Sequence, residues 1–100
     1  MNNRKIFRNT FVNKEVAKIF LYGDVGDGER VDSMRVAQEL DQLERDSRNI
    51  EVRINSNGGD VFNGIAIYNA LKNSKADIKI YVDGVAASIS AVIALCGKIL

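Results

Sequence analysis

Hydrophobic positions recur along this chain at two alternating periods, and the changes of period mark three rounds of strand followed by helix. Val16-Ala17-Lys18-Ile19-Phe20-Leu21-Tyr22 is rich in strand formers and stops at Gly23. From Asp32 or Ser33, as capping residue, a helical pattern runs to about Asp46. Its apolar stripe is Met34, Ala37, Leu40 and Leu43, and the charged positions between (Arg35, Glu39, Asp41, Glu44, Arg45) read as a solvated face. Ile50 to Asn55 is a second strand. Asp60 then caps a second helix that carries Val61, Ile65, Tyr68 and Leu71 on one side. In Asp77 to Asp83, Ile78, Ile80 and Val82 alternate with Lys79 and Tyr81, the pattern of a third strand. Ala87 to Cys96 is a third helix, and Lys98-Ile99-Leu100 reads as the start of a fourth strand. Strands alternating with helices predict an α/β fold with a mainly parallel sheet and right-handed crossovers.

Residues 1–14 are polar and are expected to form a flexible arm, leaving 15–100 as part of one small domain. The loop Gly23-Asp24-Val25-Gly26-Asp27-Gly28 holds three glycines, but not at the spacing of a phosphate-binding fingerprint, so a surface turn is expected. The formal charge of +1 is spread over both signs, which gives no footprint for nucleic acid or a membrane surface. The longest apolar stretch, Val85 to Cys96, is broken by Ser88 and Ser90 and is shorter than the ~20 residues of a membrane span. The first ten residues carry positive charge without an apolar segment behind it, unlike a signal peptide. One cysteine, Cys96, allows no internal disulfide and fits a reducing cytoplasm. It is expected as a small buried apolar residue. With no histidine, a zinc site is not expected, and no other cofactor is implied.

The chemistry lies at two strand ends. Acyl transfer to a serine requires an exposed hydroxyl, donors for the developing oxyanion and a base. In Gly84-Val85-Ala86-Ala87-Ser88-Ile89-Ser90, a strand end and a run of small residues lead to Ser88 at a helix start. Gly84, Ala86 and Ala87 are small enough to admit a peptide and neighbouring backbone. The Ile89 amide falls where helix N–H groups lack partners and the dipole favours negative charge. In Ile54-Asn55-Ser56-Asn57-Gly58-Gly59-Asp60, a strand ends in a double glycine, where φ > 0 lets the Gly58 or Gly59 amide turn outward as a second donor. Either segment alone is a common helix-entry turn or packing device. Their occurrence at consecutive strand ends, where open α/β sheets gather ligands, is much more specific.

These segments resemble the Clp peptidase family, and more closely its phage relatives, the prohead or head-maturation proteases. The family pattern is a strand, Asn-Ser-Pro-Gly-Gly, a helix, a strand and Gly-x-Ala-Ala-Ser. The chain keeps it throughout except for Asn57 in place of proline, which leaves the loop less pre-set. The phage-type continuation matches Asp60-Val61-Phe62-Asn63-Gly64-Ile65-Ala66-Ile67-Tyr68-Asn69, and Val82-Asp83-Gly84 matches before the serine. The resemblance implies a ClpP/crotonase-type spiral of strand–helix units, cut after the nucleophile helix. It implies Ser88 as nucleophile, the Gly59 and Ile89 amides as oxyanion hole, and Gly58, Gly84 and Ala87 as support. It further implies a protein or peptide substrate (capsid or scaffold protein in the phage branch), a homo-oligomer, and an unfoldase partner if the chain is of the housekeeping type.

One departure is plain. In the family the catalytic histidine and aspartate lie downstream of the serine, and this chain has no histidine to take the proton. Asp83, five positions before Ser88, is not assigned to a triad. Lys72, Lys75, Lys79 and Lys98 are formal candidates for a base, but their spacing favours none of them. The chain is therefore expected to be inactive by itself. A non-catalytic oligomeric module of the same fold is the second reading, and an acyl-CoA enzyme of crotonase type is a third. The Ala-Ala-Ser turn is superfluous to that third chemistry.

Overall fold

The computed structural model describes residues 10–12 and 16–100. Strand β1 (Thr10–Val12) pairs antiparallel with β2 (Val16–Tyr22). From β2 the chain passes through α1 (Ser33–Asp46) to β3 (Asn49–Ser56), then through α2 (Val61–Lys72) to β4 (Asp77–Ala86). A short α3 (Ile89–Ile93), a 3₁₀ turn over Ala94–Cys96 and β5 (Lys98–Ile99) follow. The sheet order is β1-β2-β3-β4-β5, and β2 to β5 run parallel. Sequential parallel order with right-handed crossovers places the helices over one face of the sheet. On that face Ala17, Ile19, Leu21, Ile50, Val52, Ile54, Ile78 and Ile80 are buried in one cluster with Val36, Leu40, Leu43, Ile67, Leu71 and Ile93.

Strands β2, β3 and β4 and the starts of α1 and α2 lie where the pattern predicts. Asp32 caps α1 by accepting from Met34 and Arg35 N–H, and Asp60 caps α2 by accepting from Asn63 N–H. The buried faces differ from the predicted stripes. On α1, Met34 is 67% exposed and Ala37 is exposed, while Val36 is buried and so is Glu39, which had been placed on the solvated face. A three-residue stripe drifts around a 3.6-residue helix, and the observed contact line joins Val36, Leu40 and Leu43 at four- and three-residue steps. On α2, Val61 and Ile65 are exposed and Tyr68 is half-buried, while Asn63, Gly64, Ile67 and Leu71 face inward. That helix is apolar on most sides, so sequence alone could not orient it.

Three further expectations are corrected. Within the segment 1–14, Thr10–Val12 is a strand rather than a free arm, and the remaining residues of that segment lie outside the described ones. The third helix begins at Ile89, not Ala87, because β4 continues to Ala86 and the chain turns sharply at Ser88. Val82 is 41% exposed instead of joining Ile78 and Ile80 in the core. Cys96 is buried as expected, and burial pushes its thiol up to about 11.

The opposite face of the sheet is polar and aromatic. Asp83 accepts from the Tyr22 hydroxyl (2.6 Å) and from Arg53 Nε (3.1 Å), with Arg53 Nη2 2.8 Å from its second oxygen. Arg53 lies over the Tyr81 ring at 4.3 Å and reaches Glu51, which faces Lys18 at 3.9 Å. This row ties together the C-terminal parts of β2, β3 and β4, the strands that carry the two candidate loops. The Arg53 guanidinium, then the Tyr22 hydroxyl, holds the Asp83 carboxyl below the usual carboxylate range, and the Asp83 hydrogen bond raises Tyr22.

A depressed folded-state pKa contributes stability that is complete above the unfolded value of about 3.9 and is lost as pH falls through the folded value. The raised Tyr22 contributes below about 10 and is lost as pH rises further. Thermal melts should therefore drop more steeply below about pH 4 for the unsubstituted chain than for Asp83→Asn, and the two should converge in strong acid. Ile67→Ala, in the core, should cost about 2–5 kcal/mol in urea unfolding, whereas Phe62→Ala, 81% exposed, should stay within about 0.5 kcal/mol.

Candidate active site

The C-terminal ends of β3 and β4 deliver the two loops to one place. Alongside Ile54 the strands run in step, Ile54 opposite Val82; the next aligned pair is Ser56 opposite Ala86. One residue of β3, Asn55, thus stands against three of β4, Asp83 to Val85, a bulge of two extra residues. Beyond it the Ala87 N–H donates to the Ser56 carbonyl at 3.2 Å. Ser88 follows with φ 55° and ψ −132°, the only non-glycine residue at positive φ among the described residues. Serine avoids this region unless its surroundings impose it, at a cost of about 1–3 kcal/mol. The side chain is left exposed on a sharp strand-to-helix turn.

Here the surroundings are the double glycine. Gly58 and Gly59 both have positive φ, 101° and 148°. A Cβ on Gly58 would lie 2.7 Å from Ser88 Cβ and 3.2 Å from its Oγ, so only glycine lets this backbone pass beside the serine. On its other side the loop is paired with the glycine-containing segment that sequence reading had taken for a surface turn. Val25 is buried and forms a parallel bridge with Gly59: its N–H donates to the Gly58 carbonyl (3.0 Å) and its carbonyl accepts from Asp60 N–H (2.8 Å). That pattern engages the residues flanking Gly59 and directs the Gly59 N–H away from Val25. The N–H groups of Ser90 and Ala91 are taken up by the Ala87 and Ser88 carbonyls, whereas that of Ile89 has no partner among the described residues.

The nucleophile, oxyanion and supporting residues expected from sequence thus gather at this strand end: Ser88 and Ile89 on the turn, Gly58 against it with Gly59 following, Ala87 joined to Ser56, and Gly84 in the bulge. Sequence reading missed the side chains that hold them. Ser90 is buried, and its hydroxyl lies 2.7 Å from the carbonyls of both Ser56 and Ala87. Ser56 Oγ accepts from Gly58 N–H at 3.1 Å. Asn63 joins three segments: its Nδ2 donates to Asp27 and Asp60, and its Oδ1 accepts from Ser33 N–H. Buried polar side chains at a strand–loop junction are the signal that could have found Ser90 and Asn63, since each must meet a partner. Among the described residues, none of the lysines offered as formal bases bonds to Ser88: Lys79 pairs with Asp77, on the strand's opposite end. An open cleft of about 310 Å³, lined by Tyr22, Asp24, Arg30, Asn55, Asn57 and Val85 among others, adjoins the loop. Among the described residues no cluster of His, Cys, Asp or Glu could hold a metal ion, and no helix is long and apolar enough to cross a membrane.

Known proteins share this arrangement of elements. The profile of the family described as Clp protease matches residues 3–99. The ATP-dependent Clp protease proteolytic subunit 3, chloroplastic, of Arabidopsis thaliana is 37% identical over 76 residues, covering 71% of this chain and 25% of that protein. The ATP-dependent Clp protease proteolytic subunit of Cyanophora paradoxa is 32% identical over 96 residues, covering 95% and 49%. Among solved structures, ClpP1 from Listeria monocytogenes superposes with a TM-score of 0.73 at 30% identity over 80% of this chain and 46% of its own. The ClpP protease catalytic domain from Plasmodium falciparum gives 0.70 at 27% identity over 85% and 46%. The chain therefore spans between a quarter and about half the length of these relatives. With its parallel sheet, its fold and nearly its whole length matched, the chain belongs to the Clp protease family.

Proposed function

We propose that the chain carries the nucleophile and oxyanion loop of a serine endopeptidase, with residues 15–100 forming the first part of a single peptidase domain. The observation that carries the reading is Ser88, exposed at φ 55° and packed against Gly58. In this mechanism Ser88 Oγ attacks the scissile carbonyl carbon while a base removes its proton. The carbonyl oxygen becomes an oxyanion and accepts hydrogen bonds from the Gly59 and Ile89 N–H groups. Collapse expels the amine and leaves an acyl-enzyme on Ser88, which water then hydrolyses. Gly58 gives the loop its approach, Gly84 admits the bulge, and Ala87 leaves the turn uncrowded.

The base is the missing element. Family resemblance puts the histidine and aspartate downstream of the serine, and the 100 residues contain no histidine. Losing the triad base costs on the order of 10⁶-fold in kcat, so this polypeptide alone is a very poor peptidase. The motif from Asp60 to Asn69 favours the prohead-protease branch, with capsid or scaffold protein as substrate in the cytoplasm of an infected or lysogenic cell. Apolar side chains left open at Phe62 (81%), Leu95 (63%) and Ile99 (50%) support assembly into a homo-oligomer. The same exposed apolar side chains support the second reading, a non-catalytic oligomeric module.

Fluorophosphonate labelling separates the two. A polypeptide extended to the first downstream histidine should label at Ser88 and lose labelling in Ser88→Ala, while the 100-residue chain labels poorly. A folded, extended polypeptide that stays unlabelled would leave the module reading in place.

A further inference from the structure

The bulge in β4 raises a question that the reaction scheme leaves open: what makes the strand accept two extra residues just before the nucleophile. Its effect on position is large. Had β3 and β4 continued at the offset that pairs Ile54 with Val82, Ser88 would stand level with Asp60; at the offset that pairs Ser56 with Ala86, it stands level with Gly58. Two residues of strand correspond to roughly 7 Å. The bulge thus decides whether Ser88 meets the glycine loop or overshoots it.

Asn55 is the single β3 residue opposite the bulge. Its side-chain Oδ1 accepts a hydrogen bond from the Val85 N–H at 3.2 Å, replacing a ladder partner that the bulge removes. Its carboxamide also fills the place where a side chain at position 84 would stand: a Cβ on Gly84 would run into Asn55 Oδ1 and lie 2.8 Å from Cγ. Gly84 is not among the glycines at positive φ, so its lack of a side chain answers to space and not to backbone conformation. The Asn55 carbonyl meanwhile accepts from Gly23 N–H at 3.0 Å, which fixes the same residue to the end of β2. Asn55 is exposed, so core packing does not account for these contacts.

The geometry points to Asn55 as a positioning residue that locks the two-residue bulge of β4, through Val85 N–H and the space left by Gly84, and so sets Ser88 against Gly58. This rests on the reading of Ser88 as the nucleophile. The expected reach of a substitution at Asn55 is therefore the serine, not the fold.

At 11.1 kDa the chain is suited to NMR. A nuclear Overhauser cross-peak between Gly58 Hα and Ser88 Hβ should be present in the unsubstituted chain and in Asn55→Asp, whose carboxylate still accepts from Val85 N–H. It should be lost in Asn55→Ala and in Gly84→Ala, while cross-peaks between Ile19 and Val52 in the core persist. Retention of the Gly58–Ser88 cross-peak in a folded Asn55→Ala would overturn the inference. Should that variant not fold, amide exchange in the unsubstituted chain decides: a protected Val85 N–H supports the lock, and exchange at the rate of free backbone contradicts it. None of these readouts depends on turnover. An unlabelled Ser88 in the extended polypeptide would end the peptidase reading and leave the positional result standing.

Discussion

The close approach of the Gly58 backbone to Ser88 is the constraint on which the rest of the site depends. A Cβ at Gly58 would come within 2.7 Å of the serine's own Cβ, and the serine in turn holds a backbone conformation that its residue type avoids. Strain of this kind persists only where neighbours over-determine it. The neighbours come from three segments: the loop after β2, the end of β3 and the first turn of α2. Val25 pairs with the loop from outside, Ser56 receives Ala87 N–H and the Ser90 hydroxyl, Asn63 joins both helix starts to the segment after β2, and Asn55 fills the bulge. Each of these is a hydrogen bond between short polar groups close to a strand end. Together they replace the regular ladder just where it stops.

The two faces of the sheet divide the remaining work. Beneath the helices, alternate residues of β2, β3 and β4 form a continuous aliphatic cluster that fixes strand order and register. Slipping one strand by a residue would turn Ile19, Val52 or Ile80 out of that cluster. On the other face, charge and aromatic contacts through Arg53, Asp83 and Tyr22 bind the same three strands near their C-terminal ends. The bulge begins at Asp83 itself, so the polar row anchors β4 immediately before the strand leaves its register.

Much of this was legible in the sequence because it followed from period and from chain-breaking residues. The parallel strands β2 to β5, the caps of α1 and α2, the parallel order and the pairing of a double glycine with an Ala-Ala-Ser turn all read directly. What stayed hidden was set by tertiary contact. The faces of α1 and α2 could not be oriented, since Met34 and Val61 are as apolar as the residues that packing chose to bury. Nothing local announces positive φ at a serine; the tight loop beside it imposes that. Val25 looked like one residue of a polar turn, and only its partner Gly59 makes it part of the site. Asn55 read as the last residue of a strand, because a bulge is a relation between two strands and neither one shows it alone.

The central claim is that position 88 faces unpaired amide donors. Replacing the serine by cysteine tests this within the 100-residue chain, with no base required, by following alkylation of the new thiol against pH in Ser88→Cys; buried Cys96, with its thiol pushed up to about 11, contributes little. Backbone donors and a helix start lower a thiol's pKa, so the alkylation midpoint should fall clearly below the free-cysteine value of about 8.5. A midpoint at or above that value would contradict the account.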